Sequence, residues 1–217
     1  MLCWKEWNLK FGAMHIAIAG NIGSGKTTLA TALAKHYNWK PHFEEVDNNP
    51  YLNDFYGEMT RWSFNLQIFF LHSRFRQIHD IRQGGDKVIQ DRTIYEDAMI
   101  FAPNLHDMGL MPSRDYNTYQ ELFALMEEFI APPDLLIYLR ASVPTLVEQI
   151  QMRGRPYESS IRLDYLQNLN ERYQNWIETY DKGRLLIIDV DGNDFPNNPE
   201  HLGEIIEKID GELNGLF

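Results

Sequence analysis

The sequence is poor in cysteine, in basic residues and in long apolar runs. Its single cysteine, Cys3, excludes an intramolecular disulfide framework and a cysteine-rich metal site, and it fits a reducing compartment. Lys and Arg number 20 against 31 Asp and Glu, a formal charge of −11. Sustained contact with a nucleic-acid polymer or an anionic membrane needs a basic face that such a chain lacks. A small anionic ligand remains compatible, because a local cluster of amides and arginines can hold one. No apolar run approaches the roughly 20 residues that span a bilayer. Lys5, Glu6 and Lys10 interrupt the N-terminal aromatics, so the start does not read as a secretory signal. The expected location is cytoplasmic. None of His15, His36, His42, His72, His79, His106 and His201 has metal-ligand spacing. Repeats and low-complexity tracts are absent, while an apolar fraction of 44% suffices for a large core.

What is present reads as one α/β domain over residues 14–217. Met1–Ala13 matches no placeable element. It is read either as a loosely packed extension or as sequence ahead of a natural start at Met14, the second being preferred. Near-continuous apolar segments predict strands at His15–Ala19, Pro41–Val46, Lys87–Gln90, Asp134–Leu139 and Arg184–Val190. Between them, helical spacing of apolar residues predicts helices over Thr27–His36, Glu58–Gln83, Tyr116–Ile130, Val143–Arg153, Leu163–Lys182 and His201–Leu213. Arg153–Ser160 is a polar break. Strands buried on both faces and alternating with helices imply a doubly wound parallel sheet, whose ligands bind beyond the strands' carboxyl ends.

Gly20-Asn21-Ile22-Gly23-Ser24-Gly25-Lys26-Thr27 fits the phosphate-binding pattern G-x-x-x-x-G-K-[ST], with a strand before it and a helix after it. Successive backbone N–H groups turned toward a phosphate need a backbone that glycine permits, and the helix N-terminus adds positive potential. Lys26 can bridge the terminal phosphates, and the Thr27 hydroxyl can ligate Mg²⁺. Together with Thr28, these residues are the expected nucleotide-binding set. No [NT]-K-x-D segment for guanine occurs.

Three more segments fall at strand ends on the same rim: Phe43-Glu44-Glu45-Val46-Asp47, Asp91-Arg92-Thr93 and Arg153-x-Arg155. Phosphoryl transfer needs a base near the acceptor hydroxyl, a carboxylate for magnesium and cations on the moving group. The three segments offer one of each.

With Phe43-Glu44-x-Val46-Asp47-x-Asn49-Pro50, Ser63-Phe64-x-x-Gln67, Asp91-Arg92-Thr93-Ile94-Tyr95-x-Asp97 and Arg153-x-Arg155-x-x-Glu158 beside the phosphate loop, the sequence resembles the deoxyribonucleoside kinases from Met14 to its end. The resemblance implies a P-loop kinase fold with a short arginine-bearing lid. The implied activity is ATP-dependent phosphorylation of a deoxynucleoside 5′-hydroxyl, with Mg²⁺. By position, Glu44 matches the general base, although Glu45 stands where the family often has proline. Asp91 takes the place of a glutamate that reaches the metal, Arg92 orients the base and the 5′-oxygen, and Arg153 and Arg155 resemble lid arginines. Tyr56 and Glu158 match the pair that binds the sugar 3′-hydroxyl.

The resemblance extends to specificity. Gln67 matches a residue that hydrogen-bonds the base edge. Arg74 and Asp97 match a pair found in the purine and deoxycytidine branch, where thymidine-preferring relatives carry small or apolar residues. It implies deoxyadenosine, deoxyguanosine or deoxycytidine rather than thymidine, with deoxyadenosine favoured by similarity to bacterial members. Phe101 and Tyr51 are candidates for stacking on the base, or for plain core packing. Asp189–Phe195 matches a region near the adenine of ATP. Relatives pair their long apolar helix in a dimer, so a homodimer is expected. The alternatives are a nucleoside monophosphate kinase of thymidylate kinase type and a non-catalytic nucleotide-sensing module.

Overall fold

A computed structural model describes residues 14–44, 49–155, 158 and 161–215. The N-terminal segment 1–13 and the expected strand end at Glu45, Val46 and Asp47 lie outside the described residues.

Five parallel strands make one sheet in the order β2-β3-β1-β4-β5. They are β1 (Met14–Gly20), β2 (Lys40–His42), β3 (Lys87–Asp91), β4 (Leu135–Arg140) and β5 (Arg184–Asp189). In β1, Ile16 and Ile18 face one side and Ala17 and Ala19 the other; in β4, Leu135, Ile137 and Leu139 oppose Leu136 and Tyr138. Both faces are dry, as an all-parallel sheet requires. On the first face lie α1 (Lys26–Tyr37), α7 (Val143–Arg153) and α9 (Pro199–Asn214), through Leu29 and Leu33, Leu146 and Ile150, and Ile205 and Ile209. On the second lie α3 (Met59–Gly84) and α8 (Leu163–Glu178), through Leu66 and Phe70, and Leu169 and Tyr173. The short α2 (Leu52–Gly57) and α6 (Ser113–Glu127) complete that layer.

The strand order puts β1 between β3 and β4, with Ile18 opposite both Asp91 and Ile137. The phosphate loop after β1 therefore stands between the ends of two strands, the switch point at which such sheets bind ligands. Gly85, with φ 68°, caps α3, in keeping with the glycine stop read from the sequence.

Four expectations are corrected. Among the described residues the second strand is confined to Lys40–His42, and Phe43 and Glu44 follow it outside the sheet. The helix expected from Tyr116 begins at Ser113 and ends at Glu127 rather than Ile130, and the one expected to reach Lys182 stops at Glu178. Residues 94–107, for which no element was expected, form α4 (Ile94–Glu96), a π-helical turn (Asp97–Phe101) and α5 (Ala102–Asp107). Of their apolar residues Ile94, Tyr95, Ala98, Ile100, Phe101, Ala102 and Leu105 are buried, and Met99 is exposed. Hydrophobicity this close to all-round carries no 3.6-residue period to read. No described helix is long and apolar enough to cross a membrane.

Candidate active site

A cavity of about 720 Å³ opens at the carboxyl ends of the strands. One end is formed by Ile22, Gly23, Gly25, Lys26, Thr27 and Thr28 of the phosphate loop and α1. Across from them lie Asn193, Asp194 and Phe195 after β5, followed by Pro196 and Asn197. The other end is walled by Leu52, Phe55 and Tyr56, by Leu66, Gln67 and Phe70, and by Asp97, Phe101 and Tyr165. Glu44, Asp91 and Arg92 lie on the cavity wall as well, and Met152, Arg153, Arg155 and Glu158 close one side.

The loop is shaped for anions. Gly25 caps α1 at φ 91°, and a Cβ there would stand 3.1 Å from the Phe195 ring, so both backbone and space require glycine. Lys26 Nζ donates to the Asn21 carbonyl at 2.9 Å. Burial, aided by the charge of Arg92, pushes the Lys26 amine down to about 7.

A magnesium ion fits the residues present. The Thr27 hydroxyl donates to Asp91 Oδ2 at 2.5 Å, while Asp91 Oδ1 is buried with no hydrogen-bond partner. A hard cation held by one carboxylate, one hydroxyl and phosphate oxygens would use that free acceptor. No group of three or more His, Cys, Asp or Glu side chains placed to hold a metal occurs among the described residues.

Glu44 sits between two arginines: Oε1 accepts from Arg74 Nη2 at 2.7 Å and lies 3.2 Å from Arg92 Nε. Burial would raise the Glu44 carboxyl, but Arg92, Arg74 and Lys26 outweigh it and hold it at about 2. Gln77 Nε2 donates to the Phe43 carbonyl at 2.7 Å and anchors the backbone just before Glu44. Arg92 has φ 71°, a left-handed conformation that costs an L-residue roughly 1–2 kcal/mol. Its guanidinium is held in compensation by Tyr173 and Glu96 and lies 4.5 Å from the centre of the Phe101 ring.

At the far end, Gln67 is buried and its amide oxygen has no hydrogen-bond partner. Asp97 Oδ2 accepts from Arg74 Nε at 3.2 Å. Burial pushes the Asp97 carboxyl up to about 7, against the pull of Arg74 and Arg92. Arg74 itself is 1% exposed and is not part of the cavity wall. The structure places it behind Asp97 and Glu44, where it reaches the ligand space only through them. Tyr51 is likewise off the wall and packs against Trp62 and Phe69, whereas Phe101 is on it. Glu158 lines the cavity, as Tyr56 does, and pairs with Arg153 (2.5 Å) and Arg155 (3.5 Å). Glu45, the other glutamate considered as base, lies outside the described residues. Phe70, Tyr165, Tyr173 and Glu96 were not singled out in the sequence; Phe70 and Tyr165 carried only the helical periodicity that core residues share.

A phosphate loop with its lysine and threonine, a magnesium-competent carboxylate and a carboxylate–arginine pair facing one cavity define a phosphotransferase of the P-loop class. The family model described as deoxynucleoside kinase matches residues 16–214. Deoxyadenosine kinase of Dictyostelium discoideum is 43% identical over 193 residues, covering 89% of this chain and 78% of that protein. Deoxyadenosine/deoxycytidine kinase of Bacillus subtilis (strain 168) is 39% identical over 196 residues, 89% and 90% respectively. A solved structure of deoxyadenosine kinase from M. mycoides with bound dATP superposes with a TM-score of 0.80 at 29% identity, covering 91% of this chain and all of that one. The chain belongs to the deoxynucleoside kinase family and has its P-loop kinase fold.

Proposed function

We propose that this kinase transfers the terminal phosphate of ATP to the 5′-hydroxyl of a deoxynucleoside, with deoxyadenosine preferred and deoxycytidine or deoxyguanosine also accepted, in nucleotide salvage. The observation that carries this reading is the placement of Glu44 on one cavity wall with the phosphate loop, with a polar base-sized end beyond it at Gln67 and Asp97.

The loop amides, Lys26, Thr27, Arg153 and Arg155 hold the triphosphate, and the segment at Asn193–Phe195 borders its adenine. Thr27 and Asp91 would hold Mg²⁺, which would supply positive charge to the phosphates. Tyr56 and Glu158 take the sugar 3′-hydroxyl. Glu44 accepts a hydrogen bond from the 5′-hydroxyl and orients its oxygen for in-line attack. A carboxylate held at about 2 is a weak base, so it takes the proton late, once the forming O–P bond has acidified the hydroxyl. Most of the acceleration then comes from alignment and from Lys26, Arg92 and the lid arginines facing the charge on the moving group. The unpartnered Gln67 oxygen suits an exocyclic amine, as on adenine or cytosine. Asp97, whose carboxyl burial raises toward neutrality, offers the base a polar partner and fills the space a thymine methyl needs.

A second copy of the chain is the proposed partner. Phe64, Ile68 and Phe75 on α3 and Leu122 and Met126 on α6 are only partly buried, and Leu125 and Phe129 beside them are exposed.

The test is nucleoside-dependent ADP release across the four deoxynucleosides and dTMP. The highest kcat/KM is expected for deoxyadenosine. Turnover of dTMP alone would establish a monophosphate kinase instead, and ATP binding without nucleoside-dependent release would leave only a sensor.

A further inference from the structure

We propose that Tyr173 and Glu96 are positioning residues for Arg92, and that Glu96 ties this arginine to the first residue of the phosphate loop. The inference rests on the kinase reading above, which places Arg92 at the reacting oxygen. Glu96 and Tyr173 are both fully buried, and neither is on the cavity wall.

The hydrogen bonds run in one direction. Arg92 Nη1 donates to the Tyr173 hydroxyl at 2.9 Å, and that hydroxyl donates to Glu96 Oε1 at 2.8 Å. The same Oε1 accepts from the Gly20 N–H at 3.2 Å. A guanidinium can only donate and a carboxylate only accept, so the phenol proton has a single place to be. Burial pushes the phenol pKa well above its ordinary value, so the proton stays on it. Arg92 Nε, near Glu44, makes no aligned hydrogen bond. Tyr173 is therefore the one aligned side-chain partner of Arg92 among the described residues.

Local helix capping does not account for Glu96. Its Oε2 completes the capping box by accepting from Thr93 N at 2.7 Å, which leaves Oε1 outside that role and free for Gly20 and Tyr173. Nor does packing account for the Tyr173 oxygen. The ring stacks on Tyr138 and meets Phe101 edge-on, contacts that phenylalanine would keep. A hydroxyl buried this deeply is costly unless paired, and both of its pairs lead to the site. The unit joins the arginine at the acceptor oxygen to the loop that holds the donor phosphate, so the two sides share one reference point.

The experiment is a double-mutant cycle with deoxyadenosine and ATP. Tyr173→Phe should lower kcat about tenfold, the scale of one hydrogen bond to a charged group, while KM for deoxyadenosine stays within about twofold. In an Arg92→Lys background the same change should have less than about a twofold effect, because the group it positions is gone. A fully active Tyr173→Phe enzyme, or an equal loss in both backgrounds, overturns the inference and leaves the kinase reading intact. Wild-type protein that phosphorylates no deoxynucleoside overturns both. A measurement independent of whether the variant folds is side-chain nitrogen NMR of Arg92 in the wild type. Slow rotation of its guanidinium is expected, and free rotation would overturn the inference.

Discussion

Replacing Glu44 by glutamine separates its charge from its shape. The carboxylate lies within 3.2 Å of one guanidinium and 2.7 Å of another, so its neutral isostere leaves both cations short of a partner. The fold should nevertheless survive. Glu44 is one of the charges raising the Asp97 carboxyl. With Glu44 neutral, Asp97 ionises more fully and keeps Arg74 paired. The stability cost is then that of a weakened polar contact, about 1–2 kcal/mol, or a fall in Tm of a few degrees in a chain of this size. Catalysis should suffer more. Losing the group that accepts the hydroxyl proton costs at least about 10²-fold in kcat, equivalent to about 2.7 kcal/mol. The amide still accepts a hydrogen bond, so Kd for deoxyadenosine should stay within about threefold. Coupled ADP release and calorimetric binding read the two quantities separately. A Glu44→Gln enzyme within tenfold of wild-type kcat would refute the assignment and pass the role to Glu45 or a bound water. The pH profile adds a sign. Glu44 acts ionised and its pKa is depressed, so it cannot produce an acid limb near neutrality.

Lys26, at about 7 in the free protein, should be pushed up by a bound triphosphate, since phosphate oxygens favour the charged amine. Binding at about pH 8 should take up close to one proton and weaken as pH rises. Calorimetry in buffers of different ionisation enthalpy measures this, and Lys26→Met should abolish it. Arg74→Met with Asp97→Ala should shift relative kcat/KM toward thymidine while lowering absolute rates, because Arg74 also holds Glu44; unchanged ratios across nucleosides would refute the specificity argument. Gly25→Ala forces a Cβ into a left-handed position 3.1 Å from Phe195. It should cost about 1–2 kcal/mol and raise KM for ATP, as melting curves and kinetics will show.

The parts of the site read most directly from the sequence are those whose meaning is local. Gly20–Thr27 is a continuous stretch whose backbone does the binding, so its residue types suffice. Asp91 and Thr27 are 64 residues apart, yet each ends or follows an apolar strand, and the parallel order brings them to hydrogen-bond distance. What escaped depends on packing. Phe70 and Tyr51 both lie on the apolar course of residues 51–84, but only Phe70 reaches the cavity, and periodicity cannot tell wall from core. Arg74 carries the charge that base recognition suggests, but burial sets it behind Asp97. Tyr173 is the second aromatic of a helix that reads as ordinary core, and only its hydroxyl partners distinguish it.

The walls of the cavity are contributed by segments from residue 22 to residue 197, all hung on one sheet. None of these segments can therefore melt and leave the cavity whole. Occupancy is linked to unfolding of the entire domain, and a ligand at a hundred times its Kd adds about 2.7 kcal/mol. At about 2–4 °C per kcal/mol for a protein this large, each nucleoside that truly fits will announce itself as a rise of roughly 5–10 °C in a simple melting scan.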